Sequence, residues 1–314
     1  MARVLVVAPN WIGDLLMAQP MLARLRAQEP AARIEVLAPE WVAPVARRMP
    51  EVDEVIAAAF QHGGLQWALR RRLGRELKAR RYDRAYVLPN SWKSALVPLF
   101  AGIPERIGYR GEMRYGLLNR IHGDAGAPMR EHYAGLAGFP VGKLSEPRMR
   151  VDAGETDNVL KKFSVEKPYA VLCPGAEYGP AKRWPYFQDL SSKLKIPVLI
   201  IGSANDQEPG KGVSGKNLVG KTTLDEAVCL IAGAKFVVTN DSGLMHVAAA
   251  LGRPQVALFG SSSPEHTPPQ SPAARVLWLQ LECSPCYQRH CPLGHFRCMK
   301  ELSVDRVLAE LQGL

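Results

Sequence analysis

No stretch of the 314 residues approaches the roughly 18 consecutive apolar positions of a membrane-spanning helix. The apolar run that opens the chain, within MARVLVVAPNWIGDLL, stops at Pro9-Asn10, shorter than the core of a secretory leader. Both absences point to a cytoplasmic protein. The aromatic motifs of RNA-binding modules are missing too. The formal charge of +10 therefore directs attention to an anionic membrane face or a phosphorylated substrate before nucleic acid. There is no repeat of solenoid length. There is also no G-x-G-x-x-G after the first strand candidate, which runs into PNWIGD and so excludes the usual dinucleotide-binding turn. Cysteine is scarce, with six in the chain, and Cys173 and Cys229 read as ordinary buried positions.

What is present is 47% hydrophobic content, enough for two domains with separate cores. Short β-branched runs alternate with segments of helical period. The strand candidates are 3–9, 33–39, 53–58 and 84–89 in the first half, then 169–175, 197–203, 217–220, 235–240, 255–260 and 275–280. Continuous apolar strands separated by helices imply parallel sheets covered on both faces. The fold class is α/β, two doubly wound domains facing across a cleft. The stretch VGKLSEPRMRVDAGETDNVLKKFSVEKP, rich in charge and containing Pro and Gly, sets the boundary near residues 150–165. The basic run RRRLGRELKARRYDR has leucines at 69, 73 and 77, the spacing of one buried helix face. Its charges are either a solvated outer face or a contact for an acidic surface.

Ligands of doubly wound sheets bind beyond the carboxyl ends of the strands, so the loops there carry the candidate chemistry. In TNDSGLMHVAAALGRP, Asp241 or Ser242 caps a helix, Gly243 allows a close turn, and His246 lies in the first turn. The helix start suits a diphosphate, and the Asp241 carboxylate suits sugar hydroxyls. In VLCPGAEYGPAKRWPYFQDL, Gly175, Glu177, Tyr178, Lys182 and Arg183 occupy a costly Gly/Pro-rich turn before a helix, and Lys182 is placed to stabilise a leaving phosphate. In VLVVAPNWIGDLLMAQPML, Gly13 and Asp14 stand where the first strand hands over to the first helix, with Asp14 as a general base whose basicity the helix dipole weakens. Beyond the fourth strand candidate, Asn90, Ser91, Lys93, Arg110 and Arg114 supply donors for an acceptor rich in phosphate or carboxylate.

Two features point elsewhere. GKNLVGKT, Gly215 to Thr222, has Walker A spacing, but no strand precedes its first glycine, and apolar Leu218-Val219 sits inside the motif. CSPCYQRHCPLGHFRC gathers Cys283, Cys286, Cys291 and Cys298 with His290 and His295. Such clustering suggests a structural zinc or iron–sulfur site, or else reduced thiols with no metal.

Four motifs carry a resemblance across most of the chain: PNWIGDLLMAQPML, PNSWKSALVPLFAGIPERIGYRGEMRYGLLN, PGAEYGPAKRWP and TNDSGLMHVAAALGRPQVALFGSSSPEHTPP. At these loops the sequence resembles the bacterial ADP-heptose:lipopolysaccharide heptosyltransferases, nearest their heptosyltransferase II branch. The resemblance implies a GT-B fold of two Rossmann-like domains. Residues 1–153 receive the acceptor, residues 165–300 hold the sugar nucleotide, and a helix in 301–314 packs back across the domains. It implies transfer of L-glycero-D-manno-heptose from ADP-heptose to the first heptose of the lipopolysaccharide inner core, with inversion and no catalytic metal. The acceptor is phosphorylated and lipid-anchored, at the cytoplasmic face of the inner membrane. Asp14 matches the family's proposed base and Lys182 its diphosphate-contacting lysine, while Asp241, Ser242, Gly243, Leu244 and His246 match its donor loop. An acidic residue of GSANDQEPG, Asp206 or Glu208, is implied at the nucleoside. The cysteine cluster is not shared by every member, which separates it from the chemistry. The absence of any Asp-x-Asp pair fits a site without metal.

Overall fold

The β-branched runs form strands, and every strand pair is parallel. The computed structural model describes residues 1–123, 126–138 and 140–314, in two units, Met1–Ser145 and Glu146–Leu314. The first unit holds β1 (Arg3–Val7), β2 (Arg33–Pro39), β3 (Glu54–Ala58), β4 (Arg84–Val87), β5 (Glu105–Tyr109) and β6 (Arg120–His122), in the order β3-β2-β1-β4-β5-β6. The second holds β7 (Ala170–Cys173), β8 (Val198–Ile200), β9 (Lys216–Asn217), β10 (Phe236–Asn240), β11 (Gln255–Phe259) and β12 (Ala274–Trp278), in the order β12-β11-β10-β7-β8-β9. Each chain direction starts at the middle of its sheet, winds to one edge, and crosses back to wind to the other. The reversal falls between β1 and β4 in one unit and between β7 and β10 in the other, and these are the positions where such sheets bind ligands.

The strands are near-continuously apolar because both faces are covered: Val4, Leu5, Val6, Ala170, Val171, Leu172, Val237 and Val238 are all buried. β5 and β6 were not among the strand candidates. ERIGY opens with two charged residues and contains a glycine, and RIH is three residues long, so neither shows an apolar run. The reading of the interdomain stretch also changes. Ala153–Lys162 is a helix of the second unit, capped by the Asp152 side chain, which accepts the Glu155 N–H at 3.1 Å. Only Thr156 and Leu160 of this helix are buried, so its sequence looks like a linker. The C-terminal helix, Val304–Gln312, was set apart in the sequence. It joins the core of the second unit, where Val307, Leu308 and Leu311 meet Trp184, Met299 and Leu302.

The basic run is partly consumed inside the first unit. Leu73 and Leu77 of helix Trp67–Lys78 are buried as the spacing predicts. Arg70 is buried as well, its guanidinium 4.4 Å from the Phe60 ring centre and its Nε donating to Leu65 O at 2.7 Å. Arg80 pairs with Glu54 at 2.6 Å and with Glu35, which has no exposed surface and also accepts from Arg3, Arg33 and Tyr82. Burial works to raise the Glu35 pKa, but these donors overcome it and hold the carboxyl at about 2. The Walker-like stretch has no phosphate-loop geometry: Lys216-Asn217 is an edge strand, and the next helix starts only at Leu224, capped by Thr223. Among the described residues no helix is long and apolar enough to cross a membrane.

Candidate active site

Two loops leave the second sheet on either side of its reversal point, and one side chain ties them together. Asn240, at the end of β10, donates from Nδ2 to Pro174 O at 2.8 Å and Gly175 O at 3.3 Å, and its Oδ1 accepts the Trp184 N–H at 3.0 Å. This fixes the ends of the loop after β7 against the residue that precedes Asp241. The Lys182 ammonium is thereby seated on Asp241 Oδ2, and the same oxygen accepts the Ser262 hydroxyl at 2.5 Å. The Lys182 and Asp241 side chains are only 16% and 5% exposed, so each charge depends on the other for compensation. Lys182 also stands 4.9 Å from the Tyr178 ring centre.

The helix that follows, Gly243–Ala250, begins at Ser242, whose side chain makes no capping hydrogen bond. The sequence reading gave Ser242 or Asp241 a capping role, but the Asp241 carboxylate is drawn to Lys182 and Ser262, while Ser242 Oγ lies 3.3 Å from Thr239 Oγ1. Helix-start amides left uncapped by these side chains suit an anionic ligand. His246, one turn in, is buried. Burial drives its pKa down from 6.5 to about 4, the Asp241 charge opposing and the Lys182 charge adding to the shift, so the imidazole is neutral at pH 7.

The other donor-side residues separate. Arg183 is half-buried and its Nη2 reaches Ala176 O at 3.3 Å, whereas Glu177 is exposed. Leu244 is partly buried at the helix start. Asp206 is buried: its Oδ2 accepts the Ser203 N–H at 2.9 Å and the Ser203 hydroxyl at 2.8 Å, while Oδ1 has no hydrogen-bond partner. A Cβ on Gly175 would lie 2.1 Å from the Asp206 carboxyl carbon, so glycine is required there by this close approach. Glu208 instead points to solvent, its side chain 86% exposed. Of the two acidic residues, Asp206 belongs to the strand-end wall.

Asn240 and Ser262 were missed by sequence reasoning. Each sits at a strand end, Asn240 next to Asp241 and Ser262 within the serine run that follows β11, and that position is the signal that could have found them. The cysteine-rich segment was not recognised as a neighbour either. Tyr178 Oη donates to Tyr287 O at 2.6 Å and the Ala181 N–H to Arg289 O at 3.1 Å. On the other side, the Tyr287 N–H reaches Ser261 O at 2.7 Å and Ser284 Oγ reaches Gly260 O at 2.6 Å. The segment therefore braces both the loop of Lys182 and the loop of Ser262. None of its four cysteines is in a disulfide. Among the described residues no group of three or more His, Cys, Asp or Glu side chains is disposed to hold a metal ion.

In the first unit, Gly13 and Asp14 lie in the first turn of helix Ile12–Gln28, both half-buried, with Trp11 at the N-cap position. Asp14 faces the helix Met129–Gly135 closely enough for its charge to add to burial in raising the Tyr133 phenol. Beyond β4, Asn90 is exposed and Ser91 half-buried, and Lys93 Nζ donates to Gly63 O at 2.8 Å. Arg110 is exposed. Arg114 differs from the expectation: it is 2% exposed and spends its guanidinium on Pro89 O and Tyr109 O, both at 2.5 Å, and on Asn90 Oδ1 at 3.3 Å. It braces the loop of Asn90 from behind and does not present itself to a ligand.

Comparison with known proteins agrees with this layout. Residues 70–297 match the model of glycosyltransferase family 9, described as heptosyltransferase. The chain is 45% identical to lipopolysaccharide heptosyltransferase 2 of Escherichia coli K12 over 99% of this chain and 98% of that protein. It is 40% identical to lipooligosaccharide heptosyltransferase 2 of Haemophilus influenzae over 88% of each. The solved structure of E. coli ADP-heptose LPS heptosyltransferase II superposes with a TM-score of 0.87 at 44% identity, covering 99% of this chain and 98% of that one. Two Rossmann-like α/β units of GT-B type, a lysine–aspartate pair at an uncapped helix start, and these similarities lead to one conclusion: the chain belongs to glycosyltransferase family 9, the heptosyltransferases.

Proposed function

We propose that the chain transfers L-glycero-D-manno-heptose from ADP-heptose to the first heptose of a phosphorylated lipopolysaccharide inner core, with inversion at the anomeric carbon. The observation that carries this reading is the Lys182–Asp241–Ser262 cluster beside the start of helix Gly243–Ala250. An entering diphosphate competes with Asp241 for the Lys182 ammonium and takes the helix-start amides. The carboxylate then turns to the sugar hydroxyls. As the glycosidic bond to the nucleotide breaks, negative charge grows on the diphosphate where Lys182 already stands, and stabilisation of that kind needs no catalytic metal. Asp14 accepts the proton of the incoming acceptor hydroxyl late in the step. Asp206 holds the turn at Gly175 that forms the nucleoside wall, and Asn90, Ser91, Lys93 and Arg110 take the acceptor's anionic groups. The enzyme works in the cytoplasm, peripherally at the inner membrane, where +10 net charge favours an anionic, lipid-anchored acceptor.

Replacement of Asp14 by Asn tests the reading. Turnover falls by about 10²-fold or more while the dissociation constant for ADP-heptose, measured by calorimetry, stays within about threefold. Near-normal turnover removes Asp14 from the role of base.

A further inference from the structure

Four of the chain's six tryptophans are exposed; Trp67, at 49%, lies on a helix edge-on to Phe100, whereas Trp11, Trp41 and Trp92, exposed by 45%, 40% and 38%, lie elsewhere. All three follow strand ends of one sheet: Trp11 after β1, Trp41 after β2 and Trp92 after β4. Contacts join their loops into a continuous arc. The Trp41 indole N–H donates to Asn10 O at 2.8 Å, and Trp11 packs on His62 with ring centres 5.3 Å apart. Next to His62, Gly63 O receives Lys93 Nζ at 2.8 Å, and the Trp92 N–H donates to Glu112 at 3.0 Å. The arc ends at Met113, which is 85% exposed.

The Trp11 and Trp41 indoles are held in place, so their exposed faces are organised before any ligand arrives. Trp41 has already satisfied its only polar atom, which leaves a flat apolar surface. Between the rings stand polar groups of both signs, His62, Lys93 and Glu112. A pyranose has this same division, with C–H groups on its faces and hydroxyls on its edges. An anionic bilayer would instead be repelled by Glu112. The arc also runs into the reaction site, because Trp11 occupies the N-cap of the helix whose first turn carries Asp14.

We propose that Trp11, Trp41 and Trp92 form a saccharide platform on which the acceptor's sugar residues stack, supplying binding energy beside the helix that carries Asp14. The inference rests on the heptosyl-transfer reading and adds to it a set of acceptor-recognition residues. The test assays Trp11→Ala, Trp41→Ala and the double variant with ADP-heptose and a deacylated, phosphorylated inner-core oligosaccharide. The acceptor KM rises about tenfold or more, kcat and the donor KM stay within about twofold, and the corresponding Trp→Phe variants recover most of the loss. In the unaltered protein the same oligosaccharide protects tryptophan fluorescence from iodide quenching, a readout independent of how the variants fold. An unchanged acceptor KM in a double variant with native thermal melting overturns the proposal. So does an unchanged KM accompanied by lost binding to phosphatidylglycerol vesicles, which assigns the rim to the membrane. If the unaltered protein transfers nothing from ADP-heptose, the activity reading fails, whereas iodide protection by the oligosaccharide still reports on the platform.

Discussion

The central residues are a cation and an anion that compensate each other. Lys182 and Asp241 share one contact, with Ser262 donating to the same carboxylate oxygen. On the proposed heptosyl-transfer reading, Lys182→Ala has two effects: it removes leaving-group stabilisation, lowering kcat by about 10²–10³-fold, and it strands a buried carboxylate. Steady-state kinetics alongside denaturant unfolding separates them, and a loss of turnover of tenfold or less reduces Lys182 to positioning. His246 gives a pH signature. The folded chain keeps it neutral down to about pH 4, while the unfolded chain binds a proton near 6.5. Acid therefore favours unfolding, and this contribution, intact above about pH 6.5, is lost progressively as the pH falls towards about 4. Urea midpoints of the unaltered protein and His246→Asn, compared at several pH values across that range, diverge less at the acid end. A constant gap contradicts the assignment. Asp241 and His246 stood out as candidates because they follow a recognisable strand, and Lys182 because it lies in a Gly/Pro-rich turn before a helix. The Ser262 bond did not, because it joins loops after different strands, and adjacency across a sheet is absent from the linear pattern.

At the scale of elements, nine of the twelve strands among the described residues lay in apolar runs visible in the sequence, because a parallel sheet covered on both faces demands such runs. The candidate 217–220 met the exposed edge strand Lys216–Asn217 only at Asn217. β5 and β6 broke that rule with charged and glycine residues near the sheet edge. Their misreading had a chemical consequence: without β5, the neighbourhood of Arg114 looked like an exposed basic loop. With it, Arg114 is a buried brace between the loop after β4 and the end of β5. Arg114→Met leaves Pro89 O and Tyr109 O without this donor and lowers stability by about 3 kcal/mol. Equilibrium denaturation measures this. An acceptor-binding role instead predicts native stability with a raised acceptor KM. The cysteine-rich segment illustrates the same limit, since its hydrogen bonds to the loops of Lys182 and Ser262 come from backbone groups at Tyr287 and Arg289 and from the Ser284 hydroxyl, not from the thiols that drew attention.

At the scale of the whole molecule, the two units repeat one topology, and in each the candidate chemistry collects at the point where the winding reverses. Strand spacing alone gave two doubly wound domains with ligand loops at their strand ends; the shared strand order comes from the structure. The boundary between Ser145 and Glu146 was harder to read, since the polar helix Ala153–Lys162 imitates a connector. The identity of the sugar and the nucleotide was never in the spacing and came only through resemblance. Both are settled by incubating the purified chain with ADP-heptose and the inner-core acceptor in the presence of EDTA and analysing the products by NMR. The account predicts one ADP released for each heptosyl group transferred, with the anomeric configuration inverted and the rate undiminished by the chelator. Retention of configuration, dependence on a divalent cation, or no transfer from ADP-heptose contradicts it.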